Sequence, residues 1–190
     1  NMIIANNIQA ELKKENKKLD AVAVSSGPGS YTGLRIGVST AKGLCYGLDI
    51  PLIAVSTLET MTQAAILSVG TSDNFLFAPM IDARRMEVYT AFYDAQLQKT
   101  REISADVIDE NSYRETLASQ NVYFFGNGAE KCKAVITHPN AHFIDNIVPL
   151  AENMIPIAER AYAENRFEDV AYFEPFYLKE FYTTENKKNL

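Results

Sequence analysis

The sequence predicts an α/β protein of two lobes, and three observations carry that expectation. A short apolar run, Leu19 to Ser25, ends in the turn Gly27-Pro28-Gly29 and leads into a helix-period stretch from Thr32 to Leu48. A second apolar run, Pro51 to Val55, follows; strand, crossover helix and strand in that order imply a parallel, right-handed unit. After the turn-rich connector Gly70 to Asn74 the pattern changes to paired strands. A lobe boundary is therefore expected there, with an N-terminal lobe over 1–72, a C-terminal lobe over 73–171, and a tail over 172–190 able to return to the first lobe.

Composition supports a packed core. The 190 residues are 47% hydrophobic and 22% charged, within ordinary globular usage. Apolar stretches are broken by charge or glycine before the roughly 18 residues a membrane span needs, and Asn1 to Ala10 has no basic region followed by an apolar core. Cys45 and Cys132 lie far apart without a C-x-x-C pair, which supports neither a zinc knot nor a disulfide framework and makes a reducing cytoplasm the expected location. A formal charge of -6 argues against a stand-alone RNA binder, because holding phosphates needs a basic face.

Element by element, Ile4, Ile8 and Leu12 mark one face of a first helix, with Lys13 to Lys18 as its solvated tail. Thr32 can cap the next helix, on which Leu34, Val38, Ala41 and Cys45 share a face; Asp49 and Pro51 end it. Leu58 to Leu67 reads as a helix. Phe75 to Ile81 and Met86 to Tyr93 read as strands paired around Asp82-Ala83-Arg84-Arg85. Helices are then expected over Tyr113 to Ser119, Ala129 to Thr137 and Leu150 to Glu164, and strands over Val122 to Phe125 and Ala141 to Ile144. Tyr172 to Tyr177 should pack on the body while Thr183 to Leu190 frays.

The chemical inventory is thin. Gly27-Pro28-Gly29 before a helix invites an anion-site interpretation, with Gly27, Gly29, Thr32 and Arg35 as contacts, since helix N-termini attract anions. A tight structural turn is the simpler explanation. The third glycine of a dinucleotide fingerprint comes one residue late at Gly33, Ser56-Thr57 stands where a ribose-binding acid belongs, and no G-x-x-x-x-G-K-[ST] occurs. His138 and His142 have Pro139 between them, which breaks the helical spacing a metal pair needs. No G-x-S-x-G elbow is present. Asp82, Arg84, Arg85 and Glu87 either cap a hairpin or serve a site, with Arg84 the candidate anion or partner contact.

Gly33, Gly37, Gly43 and Gly47 sit inside the predicted helix, where each costs about 1 kcal/mol relative to alanine. Gly33-Gly37-Ala41 and Ser39-Gly43-Gly47 form two small-residue rows, so another backbone can approach closely, within the domain or from a partner chain.

The segment D-A-V-A-V-S-S-G-P-G-S-Y-T-G-L-R-I-G-V-S-T-A-K-G-L-C-Y-G-L-D-I-P-L-I-A-V-S-T-L-E, Asp20 to Glu59, closely resembles the TsaB and TsaD group, the glycoprotease-like branch of the actin and sugar-kinase (ASKHA) fold. I-D-A-R-R-M-E-V-Y (Ile81 to Tyr89), G-N-G-A (Gly126 to Ala129) and P-F-Y-L-K (Pro175 to Lys179) extend the resemblance over almost the whole chain. The catalytic relative, TsaD, carries V-N-H-L-E-G-H where this chain has Val55-Ser56-Thr57-Leu58-Glu59-Thr60-Met61. Thr57 and Met61 replace two metal-binding imidazoles with groups that offer no comparable ligands, so the resemblance is to the non-catalytic side of the group.

That resemblance implies a two-lobed fold of ββαβ-type units and a scaffold that binds TsaD as a heterodimer, with TsaE in a larger complex and a homodimer through the same surface when the partner is absent. The interface would lie on the first two helices, about Met2 to Lys14 and Thr32 to Leu48, through Ile4, Ile8, Leu12, Gly33, Leu34, Gly37, Val38 and Ala41. No catalytic residue, metal or cofactor is expected on this chain alone; ATP or ADP belongs at the complex interface, and tRNA is reached through another subunit. Members of the group begin with a hairpin containing an Asp-Thr-Ser-Thr-like loop, and nothing of that kind precedes Asn1. The chain is thus expected to lack about 40 residues and part of a sheet. Two alternatives remain: an independent ATPase or peptidase using the Gly27 to Gly33 loop and the Asp82 to Glu87 cluster, or a nucleotide-binding module without turnover.

Overall fold

The computed structural model describes residues 10–15, 17–70 and 74–178. Residues 10–15 are helical, with Leu12 half-buried; Ile4, Ile8 and the Thr183 to Leu190 end fall outside the described residues. Strand β1 (Val22–Gly27) leads through a turn into helix α1 (Tyr31–Leu48), then strand β2 (Leu52–Ser56) and helix α2 (Thr57–Val69). β1 and β2 pair in parallel, Val22 opposite Leu52 and Ser25 opposite Val55, as strand-helix-strand order requires.

The second sheet has five strands in the order β5-β4-β3-β6-β7. β3 (Phe75–Asp82), β4 (Glu87–Tyr93) and β5 (Lys99–Val107) form an antiparallel meander. The chain then passes through the short helix α3 (Arg114–Ser119) to β6 (Asn121–Phe125), parallel to β3, and on to β7 (Ala141–Ile144), parallel to β6. Helix α4 (Ile155–Ala163) closes the regular structure. No described helix is long and apolar enough to cross a membrane.

Period-2 alternation divides the core between the faces of this sheet. Phe77, Ala91 and Phe125 pack with Val55, Leu58 and Met61 from β2 and α2, and with Ile157 and Ala161 of α4. Met80, Val88, Phe92, Val122 and Phe124 pack on the other side with Leu117 and Cys132. The apolar core therefore runs without a break across the 70–74 connector that separates the two sheets. A smaller cluster, Ala41, Cys45 and Leu52, seats α1 on β1 and β2, with Phe173 of the tail packed against it.

Three expectations about elements need correction. Ala129 to Thr137 is not an α-helix: only Glu130–Cys132 makes a 3-10 turn, followed by turns. So short a segment gains little from helix propagation, and its Lys131 is drawn into a clamp described below. The single helix expected over Leu150 to Glu164 is a 3-10 turn, Ala151–Met154, followed by α4. Pro156, which lacks an N–H, stands in the first turn of α4 and sets its start. Strand β5 was not anticipated; Lys99, Arg101, Glu102 and Asp106 mask its pattern, as charge does on many edge strands. Inside it, Arg101 meets Asp106 at 2.7 Å, and the Tyr113 hydroxyl donates to the same carboxylate oxygen at 2.8 Å. Burial pushes the Asp106 carboxyl up, but Arg101, Ser104 and Tyr113 together outweigh it and hold the group below its usual range.

Candidate functional site

The end of β1 builds one wall of a cleft between the sheets. Gly27 has φ 108°, in the left-handed region, and a Cβ there would fall 2.7 Å from the Phe176 carbonyl oxygen. Only glycine fits. The Phe176 N–H donates to Ser26 O at 2.7 Å, so the tail crosses the turn at this point. Ser30, not Thr32, caps α1: its Oγ accepts from Gly33 N at 3.3 Å, while Thr32 lies exposed inside the first turn. The chain leaves the turn two residues earlier than the apolar periodicity suggests, because Tyr31 already adopts helical geometry.

The opposite wall is the β3–β4 turn and the loop after β6. Arg84 and Arg85 both have positive φ, 71° and 47°. The Asp82 carboxylate accepts from Arg84 N at 3.0 Å, and Asn127 Oδ1 accepts from Asp82 N at 3.0 Å. Lys131 donates to the Asp82 carboxylate and, at 2.7 Å each, to the carbonyls of Arg85 and Glu87. The Lys131 hydrogen bond holds the Asp82 carboxyl below its usual range. Asp82 is thus committed to a turn clamp. Gly126, φ 100°, lies so close that a Cβ would strike the Met61 methyl and stand 2.5 Å from Met80 O.

Between these walls lie two adjoining cavities. One, about 410 Å3, is apolar, lined by Val24, Leu34, Met61, Ile81 and Ile147 with Thr57 at its side. The other, about 620 Å3, is polar and lined by Ser30, Tyr31, Thr32, Asp82, Arg84 and Tyr177. The sequence-predicted contacts Gly29, Thr32, Asp82 and Arg84 therefore meet in one place. Gly27 stands behind them under the tail, and Arg35 lies around the helix, where it donates to the Tyr31 hydroxyl at 3.2 Å. No local pattern in the sequence brings Tyr31 and Tyr177 to the same cavity, since the two lie far apart along the chain.

Thr57 and Met61 do not fit a metal. The Thr57 hydroxyl shares a 2.7 Å hydrogen bond with Ser25 Oγ, and Met61 is only 2% exposed, its thioether packed in the core. Among the described residues, no three His, Cys, Asp or Glu side chains gather to hold a metal ion. His138 Nδ1 accepts from Asn140 N at 3.2 Å, whereas His142 hydrogen-bonds Asn121 at 2.8 Å; each has its own structural partner.

On α1, the expected docking residues split. Leu34, Val38 and Ala41 are 8%, 3% and 4% exposed, so the face at their spacing packs on this chain's own sheet and is not available to a partner. Gly33 is exposed and Gly37 half-buried, with Val24 at 3.9 Å from a Cβ built on Gly37. Ile36, 52% exposed, and Gly43 and Gly47, where an added Cβ meets nothing within 4 Å among the described residues, form the outward face.

The family model described as "TsaD: tRNA N6-adenosine threonylcarbamoyltransferase" matches residues 2–185. The tRNA threonylcarbamoyladenosine biosynthesis protein TsaB of Escherichia coli K12 is 34% identical over 170 residues, covering 85% of this chain and 71% of that protein. The protein of the same name from Haemophilus influenzae is 32% identical over 173 residues with the same coverage. A Pseudomonas aeruginosa crystal structure described as similar to peptidase YeaZ superposes with a TM-score of 0.77 at 25% identity, covering 90% of this chain and 81% of that one. A further P. aeruginosa structure, described as YeaZ, gives a TM-score of 0.71.

Proposed function

Because the chain belongs to the TsaB (YeaZ-like) branch of the threonylcarbamoyltransferase family, we propose that it is a non-catalytic scaffold that docks on TsaD and activates it. Family membership carries a role in tRNA threonylcarbamoyladenosine biosynthesis. The finer reading rests on the outward face of α1. Gly43 and Gly47 each cost about 1 kcal/mol of helix stability, and among the described residues nothing lies within 4 Å of a Cβ built at either position to explain why glycine stands there. A partner helix lying against Ile36, Gly43 and Gly47, with Gly33 and Gly37 at the margin, would explain it. The docking surface is thus shifted around the helix from Leu34, Val38 and Ala41.

Thr57 bonded to Ser25 and Met61 in the core support the absence of metal chemistry on this chain. Activation then has to come from preferential binding to one state of TsaD, since a partner shifts an equilibrium only by its differential affinity. TsaE would join the assembled pair, ATP or ADP would sit at the joint surface, and copies of the chain would pair through the same helix face when TsaD is absent. The work would take place in the cytoplasm, with tRNA held chiefly by TsaD.

The test is reconstitution of tRNA modification by TsaD with wild-type chain and with Ile36→Asp. Wild type should support modification and Ile36→Asp should not, while the chain alone turns over neither ATP nor peptides. Turnover by the chain alone that disappears in Asp82→Ala would replace the scaffold with an independent hydrolase.

A further inference from the structure

The polar cavity of the cleft continues past an aromatic divider into a second one. The Tyr31 and Tyr177 rings stand 4.8 Å apart between centroids, and both residues line the polar cavity of about 620 Å3 and a neighbouring polar groove of about 430 Å3. A cation serves each side. Arg84 lines the first cavity; Arg35 and Lys42 line the second, with the Arg35 guanidinium 5.5 Å from the Tyr31 ring centroid and Lys42 keeping one N–H beyond those it gives to the Ala171 and Phe173 carbonyls.

The Arg84 turn is costly to hold. Consecutive non-glycine residues at positive φ are strained, and asparagine or glycine would relieve them. Here the three-bond Lys131 clamp and the Asp82 and Asn127 bonds hold two arginines in that geometry instead. Both arginines are exposed. Two carboxylates also border the strip: Asp82, already engaged by Lys131, and the exposed Glu174 of the second groove.

Cation, paired rings and cation in succession match a chain molecule whose anionic links alternate with flat faces. We propose that the strip from Arg84 across Tyr31 and Tyr177 to Arg35 and Lys42 binds a short single-stranded RNA segment, its phosphates at the cations and a base against the tyrosines. A free nucleotide would fill one side of the divider and leave the other cations idle. An acidic peptide would use the cations without the rings. Tyr31, Arg35 and Lys42 share one flank of α1, away from the Ile36, Gly43 and Gly47 face, so the same chain can meet TsaD and RNA at once. The net charge of -6 makes this a narrow auxiliary contact, not the main hold on RNA.

Fluorescence anisotropy of a short fluorescein-labelled single-stranded RNA, titrated at low salt with the full chain to about 1 mM, tests it, since non-specific affinities lie on the order of 10⁻⁴ to 10⁻⁶ M. Wild type should bind. Arg84→Asn with Arg85→Gly keeps residues suited to the turn, so folding is retained, and it should weaken binding roughly tenfold and lower the salt slope by about one to two. Tyr177→Ala should weaken it roughly tenfold through lost stacking. The double variant should still bind TsaD, which separates this site from the docking surface. No anisotropy change up to the highest concentration, or binding unmoved by both variants, overturns the proposal. Displacement of the labelled strand by ADP or oligoglutamate as readily as by unlabelled RNA also overturns it, reassigning the strip to a free nucleotide or an acidic peptide.

Discussion

The hydroxyls of Ser25 and Thr57 lie 2.7 Å apart, joining the end of β1 to the first residue of α2. Thr57 is 8% exposed, and its side chain is turned into this structural bond. The pair forms part of the seam between strand and helix. Removing one partner strands the other's partly buried hydroxyl, which costs about 1–2 kcal/mol, whereas removing both is milder. Thr57→Val should therefore destabilise the chain by about that amount, and Ser25→Ala combined with Thr57→Val by less than the sum of the singles. Denaturant unfolding of the four proteins in a double-mutant cycle gives the coupling, expected near 1 kcal/mol; strict additivity would mean that the bond does not contribute.

Gly126 supports the other wall of the cleft. Its φ of 100° and the Met80 carbonyl oxygen, 2.5 Å from an added Cβ, both exclude a side chain. Gly126→Ala should cost about 3 kcal/mol or more, because backbone strain and a backbone clash act together. Trimming Met61 should not rescue it, since the Met80 carbonyl remains. Thermal unfolding of Gly126→Ala with and without Met61→Ala checks both points.

Glu59, in the first turn of α2, has its carboxyl pushed up by burial, against the pull of Arg166, Arg160 and Lys99. A raised carboxyl favours the neutral form in the folded state. Its contribution is fully present below the ordinary value of 4.5 and is lost as pH rises through the higher folded value. Glu59→Gln should consequently raise the melting temperature at neutral pH, with the gain fading as pH falls below 4.5. A gain that persists unchanged into acid would point to packing instead of titration.

The first half of the fold was readable because its elements are driven by local pattern. β1, α1, β2 and α2 fall within a few residues of their expected places, and Leu34, Val38, Ala41 and Cys45 do share a buried face. The same buried face shows the limit of periodicity: it says that residues lie together, not whether their neighbour is the same chain or another. β5 escaped notice because Arg101 and Asp106 satisfy each other across a polar strand, a match that only the fold reveals. The cleft was half visible. Gly27, Asp82 and Arg84 announced turns, while the meeting of Tyr31 with Tyr177 depends on the tail returning over β1 through the Phe176–Ser26 bond.

That tail also differs from its expected role in one respect. Phe173 packs on the α1 cluster and Lys42 donates to the carbonyls of Ala171 and Phe173 at 3.1 and 2.9 Å, but Tyr172 is 83% exposed. The tail is fastened through its backbone and alternate side chains, so aromatic content alone did not say which rings would be covered.

Docking through the outward face of α1 is most directly tested by calorimetric titration of TsaD with wild-type chain and with Gly43→Leu. Leucine at an exposed helical position should stabilise the isolated chain by roughly 1 kcal/mol, since glycine is the poorer helix former. The account predicts that this more stable variant no longer binds TsaD, because its side chain fills the space a partner helix needs. Binding of Gly43→Leu with wild-type affinity and stoichiometry would contradict it.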